Sequence, residues 1–135
     1  MNRSRYMLHT NIVSDLVRHP QGKVFERIAK VGSDAVCISI FTAAELRYGC
    51  AKKASIRLTA QVEAILDGLD ILPFDVPGDA HYGRIRSALE AAGTPIGPND
   101  LLIATHADTV GATLVTANVR EFAPVATLRV ENWLS

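Results

Sequence analysis

Asp100 lies in the run Gly97-Pro98-Asn99-Asp100-Leu101-Leu102-Ile103-Ala104, a carboxylate at the head of a strongly apolar helical pattern. Burying such a helix brings the charge to the edge of the core. Three other structure breaks carry polar or acidic groups: His9-Thr10-Asn11, Thr42-Ala43-Ala44-Glu45 and Thr116-Ala117-Asn118. Brought together, these breaks form an acidic pocket suited to a hard cation. Clustered carboxylates resist simultaneous ionisation unless a cation intervenes, and Mg²⁺ or Mn²⁺ resolves that conflict. A metal so held polarises a phosphodiester, lowers the pKa of a bound water and steadies the leaving oxygen. His9 stands where such a pocket is expected to have another carboxylate.

The elements that position these groups alternate. Arg5-Tyr6-Met7-Leu8 reads as a first strand, followed by a turn and a helix from about Ile12 to Arg18. Val24, Phe25, Ile28 and Ala29 recur at helical spacing after Pro20 and Gly22. Ala35-Val36-Cys37-Ile38-Ser39-Ile40 is too continuously apolar for a half-exposed strand and fits one covered on both faces, as in a parallel sheet. A helix from Thr42, another through Ile56 to Leu66, a strand at Ile71-Leu72 and a helix through Tyr82, Ile85 and Leu89 follow. The Asp100 helix ends near Gly111, Thr113-Leu114-Val115 gives a fourth strand, and Leu128-Arg129-Val130 a short fifth. The pattern predicts one α/β domain spanning residues 1–135, a sandwich around a mostly parallel sheet of four to five strands. Ligands of such sheets gather beyond the carboxyl ends of the strands, where His9, Glu45 and Asn118 fall.

Each residue also has a purely structural reading. Thr42 and Glu45 fit a capping box. Asn99 makes an ordinary N-cap, with Asp100 complementing the helix dipole. Asn118 reads as a cap or turn residue, and Glu121 equally as a solvated helix-face charge. Arg47, Arg84 and Arg86 suit phosphates, the carboxylates of a partner or plain surface pairing. Tyr48 and Tyr82 read as core or interface residues rather than stacking platforms, and Trp133 as a seal on the C-terminal end. His19, His81 and His106 are expected to be solvated or cap-associated.

Composition narrows the classes. The 135 residues are 48% hydrophobic and 21% charged, enough for one sizeable core. The 14 basic and 14 acidic residues cancel, so no global attraction to nucleic acid is written in, although ten of the cations are arginines. Cys37 and Cys50 show no zinc or disulfide spacing and are expected to be buried thiols. No leader or bilayer-length run is apparent, which predicts a soluble, cytoplasmic protein without a membrane partner.

The blocks Tyr6-Met7-Leu8-His9-Thr10-Asn11-Ile12, Ala43-Ala44-Glu45-Leu46-Arg47-Tyr48-Gly49, Leu72-Pro73-Phe74, Tyr82-Gly83-Arg84-Ile85-Arg86, Gly97 through Ala104 and Leu114 through Phe122 cover nearly the whole chain. In them the sequence resembles the PIN-domain ribonucleases, and within these the VapC toxins of bacterial toxin–antitoxin pairs. The resemblance implies a three-layer α/β/α fold and RNA cleavage with a divalent metal, Mg²⁺ or Mn²⁺. It also implies a VapB-like antitoxin as partner, a homodimer or toxin–antitoxin hetero-oligomer, and DNA contact only through the antitoxin. It makes Glu45 and Asp100 the central acids, puts Asn118 or Glu121 at a variable fourth catalytic position, and gives Asn11, Thr116 and Asn99 a supporting role.

The family motif begins with aspartate where this chain has His9. Imidazole suits softer metals than Mg²⁺. One unit-charge contact at about 4 Å is worth at most roughly 4 kcal/mol at an effective dielectric near 20, so the exchange weakens the grip on the ion. His9 is expected to pair with Glu45 and Asp100 where the cation belongs, leaving a folded but weakly active nuclease. The rival reading is a catalytically silent module that acts through its antitoxin. A phosphoacceptor or phosphatase is disfavoured, since the first strand offers no aspartate nucleophile.

Overall fold

A computed structural model describes residues 5–135. Among them, five strands form one sheet in the order β3-β2-β1-β4-β5, with every neighbouring pair parallel. The strands are β1 (Tyr6–Leu8), β2 (Val36–Ser39), β3 (Asp70–Leu72), β4 (Thr113–Val115) and β5 (Val130–Glu131). The helices are α1 (Thr10–Arg18), α2 (Lys23–Val31), α3 (Ile40–Lys53), α4 (Ile56–Asp67), α5 (Gly78–Ala91), α6 (Pro98–Val110) and α7 (Val119–Phe122). The expected α/β/α sandwich is present, and its sheet is wholly parallel.

The alternation of side chains along each strand divides the core in two. Leu8, Val36, Ile38 and Val115 face the α1–α4 side, where they pack with Ile12, Leu16, Leu46 and Leu66. Met7, Cys37 and Leu114 face the other side, against Leu101, Ile103, Ala104 and Phe122. All seven strand residues are at most 1% exposed, and each large apolar side chain so buried contributes roughly 1.5–3 kcal/mol. Covering on both faces explains why β2 reads as an unbroken apolar run. Trp133 closes the first core as expected, 2% exposed, its ring 5.3 Å from that of Tyr6 and stacked by Arg27 at 5.2 Å. Cys37 and Cys50 are free and buried; burial pushes the Cys37 thiol up to about 11.

The connections fix where a ligand can sit. From β1 the chain crosses to β2 and β3 on one side, then returns through α5 and α6 to β4 on the other side of β1. The strand order therefore reverses between β1 and β4, and their carboxyl ends splay apart there, as at the crevices of other open parallel sheets. His9 follows β1 and Thr116 follows β4. Among the described residues no helix is long and apolar enough to cross a membrane.

Two local expectations are corrected. The helix carrying Glu45 starts at Ile40, two residues earlier than Thr42, because the Ser39 hydroxyl caps it by accepting from the Phe41 N–H. The capping box is consequently not formed: Thr42 is fully buried and its hydroxyl has no partner. In α6, Gly97 is the N-cap and Pro98 occupies the first turn, so Asn99 is no cap and its side chain is released for another contact.

Candidate active site

His9 follows β1 with its backbone N–H bonded to the Val115 carbonyl at 2.8 Å, which fixes it to the β1/β4 crevice. Its ring is nearly buried, edge-on to Phe122 with centroids 5.1 Å apart. Nδ1 lies 2.9 Å from the Thr116 hydroxyl and Nε2 2.9 Å from Asp100 Oδ1. The Thr116 oxygen also accepts from the Asn118 N–H at 3.0 Å and from Asn11 Nδ2 at 3.3 Å. A hydroxyl has two acceptor lone pairs and one proton; with both lone pairs used, its proton goes to His9 Nδ1. The hydrogen-bond network thus assigns His9 the neutral tautomer, with Nε2–H donating to the Asp100 carboxylate.

Asp100 accordingly sits below the ordinary carboxylate range, first through the His9 hydrogen bond, against the opposing effect of its half-burial. A hydrogen bond with Glu121 lowers it further and raises Glu121. The α7 helix, placed by Phe122 in the core, delivers Glu121 to this contact.

Glu45 is held separately. Its Oε1 accepts from the Thr10 hydroxyl at 2.5 Å and its Oε2 from Asn99 Nδ2 at 3.3 Å. Asn11 braces the floor, accepting from the Ala117 N–H at 3.2 Å. The sequence-predicted residues therefore converge: Asn11, Asp100, Thr116, Asn118 and Glu121 gather round His9, and Asn99 links α6 to Glu45. His9 reaches Asp100, while the groups bonded to Glu45 are Thr10 and Asn99. Asn118 takes part through its backbone N–H, caps α7 without a side-chain bond, and keeps the structural role expected of it. Thr10 was missed by sequence reasoning; its signal was its place beside His9 at the start of a helix facing α3.

A groove of about 290 Å³ between α1, α3 and α4 runs up to Thr10 and Glu45, apolar along Val17, Leu46 and Val62 and bearing Arg18 and Lys53. Another cavity, about 380 Å³, lies away from this chemistry between α5, α6 and the segment after α7.

The chain matches the PIN domain family over residues 6–128. It is 37% identical over 130 residues to the tRNA(fMet)-specific endonuclease VapC of Salmonella typhimurium, an alignment covering 96% of this chain and 98% of that protein. It is 39% identical over 131 residues to Ribonuclease VapC2 of Haemophilus influenzae, covering 96% and 98%. VapBC2 from Rickettsia felis, solved bound to a DNA fragment from its promoter, superposes with a TM-score of 0.88 at 35% identity, covering 95% of this chain and 98% of that one. The DNA-bound VapBC from Salmonella typhimurium also gives 0.88, at 36% identity over 97% and 99% of the two chains.

Proposed function

From the premise that this chain belongs to the PIN domain family, we propose that it is the ribonuclease toxin of a VapBC-type toxin–antitoxin pair, and that His9 weakens its hydrolysis of RNA. Alignment with ribonucleases of the VapC type over almost their full length supports the first part. A VapB-like antitoxin is the partner, in a toxin–antitoxin hetero-oligomer that meets DNA through the antitoxin; DNA-bound VapBC complexes of similar chains support this. The groove beside Glu45 gives such a partner an apolar seat that ends at the catalytic carboxylate. The cytoplasm is where its RNA substrate and partner meet.

The second part rests on one observation, the 2.9 Å bond from His9 Nε2 to Asp100 Oδ1. The family's divalent ion, Mg²⁺ or Mn²⁺, requires several oxygens free to converge. The side chains here do not fit it: among the described residues no three histidines, cysteines or acids are arranged to hold a metal. One Asp100 oxygen is committed to an N–H, Glu121 is hydrogen-bonded to Asp100, which raises its pKa, and Glu45 is drawn to Thr10 and Asn99. Asp100 can still orient a water or repel a misplaced phosphate, and Thr116 fixes the imidazole against it.

The experiment is a side-by-side cleavage assay of this chain and His9→Asp on total RNA in Mg²⁺ and in Mn²⁺. Removing an N–H donor and adding a charge raises the rate about a hundredfold, taking the contact at less than its roughly 4 kcal/mol ceiling. Equal rates for the two proteins overturn the impairment. The catalytically silent reading is favoured by the same His9–Asp100 bond, and antitoxin binding with no cleavage by either protein in any divalent metal would establish it.

A further inference from the structure

Tyr82, Arg86 and Glu90 recur at four-residue spacing on one face of α5 and line a cavity of about 220 Å³. Its opposite wall includes Pro95, Pro98 and Leu101. Pro98 and Leu101 bracket Asn99 and Asp100, so the cavity and the catalytic carboxylate share the first turn of α6, an axial rise of about 5.4 Å.

The walls and rim have different chemistry. Proline rings, a leucine and the half-buried Tyr82 present apolar and aromatic surface, against which the face of a flat ring loses its hydration favourably. The rim is polar: Arg86 Nε donates to Glu90 Oε2 at 3.0 Å and Arg86 Nη1 to the Tyr82 hydroxyl at 3.0 Å. These bonds hold a guanidinium donor and a carboxylate acceptor side by side. The pair is more than half exposed, and an exposed i,i+4 ion pair contributes little to stability, so a ligand can compete for it cheaply.

A donor beside a two-oxygen acceptor complements one nucleobase best. Guanine presents the O6 acceptor next to two donors, N1–H and N2–H, which match both oxygens of one carboxylate; the other three bases lack two adjacent donor groups on that edge. We propose that this cavity is a nucleobase subsite selective for guanine, with Glu90 accepting from N1–H and N2–H and Arg86 donating to O6. It seats a base within a nucleotide or two of the phosphate at Asp100. The inference rests on the ribonuclease reading for its biological use, yet the binding itself is separable from it. It also gives Tyr82 a place against a bound base, which its spacing alone did not suggest.

The test titrates the 5′-monophosphates of guanosine, adenosine, cytidine and uridine into the full chain in EDTA, following backbone amides 82–101 by NMR. Guanosine 5′-monophosphate is expected to bind about tenfold tighter than the other three, and Glu90→Gln and Arg86→Ala each to abolish that preference while keeping the parent's fold by circular dichroism. Equal binding of the four, or shifts confined to residues outside 82–101, overturns the proposal. A second arm maps RNA cuts made by His9→Asp: guanine at one fixed offset from the cut, lost in His9→Asp/Glu90→Gln, supports the subsite, and no base preference at any offset refutes it. If His9→Asp cleaves nothing, the ribonuclease reading fails and the nucleotide titration alone decides the subsite.

Discussion

His9 and His106 are built alike and used differently. Each ring places Nδ1 on a hydroxyl, Thr116 at 2.9 Å and Ser39 at 2.7 Å, and each stands edge-on to a phenylalanine, Phe122 at 5.1 Å and Phe74 at 5.2 Å. Beyond Nε2 they diverge. His9 meets the Asp100 carboxylate at a rim open to solvent. His106 is 1% exposed, and its Nε2 makes no hydrogen bond of good geometry, although the Pro73 carbonyl lies near enough to raise its pKa against the larger, lowering effect of burial. A hydroxyl partner orients a ring in both places; only the carboxylate and access to water turn it toward chemistry. His106 instead pins α6 to the β2–α3 junction, so that helices bearing Asp100 and Glu45 keep a fixed relation.

Three changes break or sharpen this contrast. The largest is His106→Ala, which opens a cavity among Phe41, Phe74 and Ser39 and is expected to cost about 3 kcal/mol in urea-induced unfolding. A loss near zero would mean that the ring does not brace the two helices. Next is Thr116→Val, which removes the oxygen shared by His9, Asn11 and Asn118 and costs about 2 kcal/mol through the partners it orphans. Long-range proton–nitrogen spectra should then show His9 losing its single Nε2–H tautomer; an unchanged spectrum removes Thr116 as its cause.

Acid titration gives the smallest and most discriminating effect. Burial holds His106 below its ordinary value of 6.5, so on acidification the unfolded chain takes up a proton before the folded chain does. Stability therefore declines as pH falls below 6.5. Asp100 is held below its ordinary 3.8 chiefly by His9, and its contribution, complete above 3.8, is lost as pH falls through the lower folded value. Between 6.5 and 3.8 the slope should shrink in His106→Asn and persist in Asn99→Ala, measured by thermal unfolding across pH. Identical slopes in parent and His106→Asn would show that another group titrates there.

The sequence made the strands and the convergence of the site readable, because β1, β2 and β4 are apolar runs and the polar breaks follow their carboxyl ends. Asp100, with no strand before it, could be placed only by inference, and α6 carries it to the same crevice. Helix starts were less legible. Thr42 resembles a cap in isolation, but Ser39 wins because β2 ends there and its hydroxyl is already in the turn. His106 was expected near solvent; it is buried because α6 is enclosed by the sheet, α3 and α5, with Leu101 and every residue from Ile103 to Ala107 buried. That nearly unbroken apolar stretch around His106 was the available signal. The pairing of Glu45 with Thr10 and Asn99 depends on side-chain direction across three helices, which periodicity does not encode.

The contact between His9 and Thr116 spans 107 positions of the chain. Such a distant closure delays the finished crevice until β4 and the residue after it have been made. During synthesis the N-terminal half, with Glu45 already on its helix, lacks both α6 and β4, so Asp100 and Thr116 cannot join His9 until those later elements have docked.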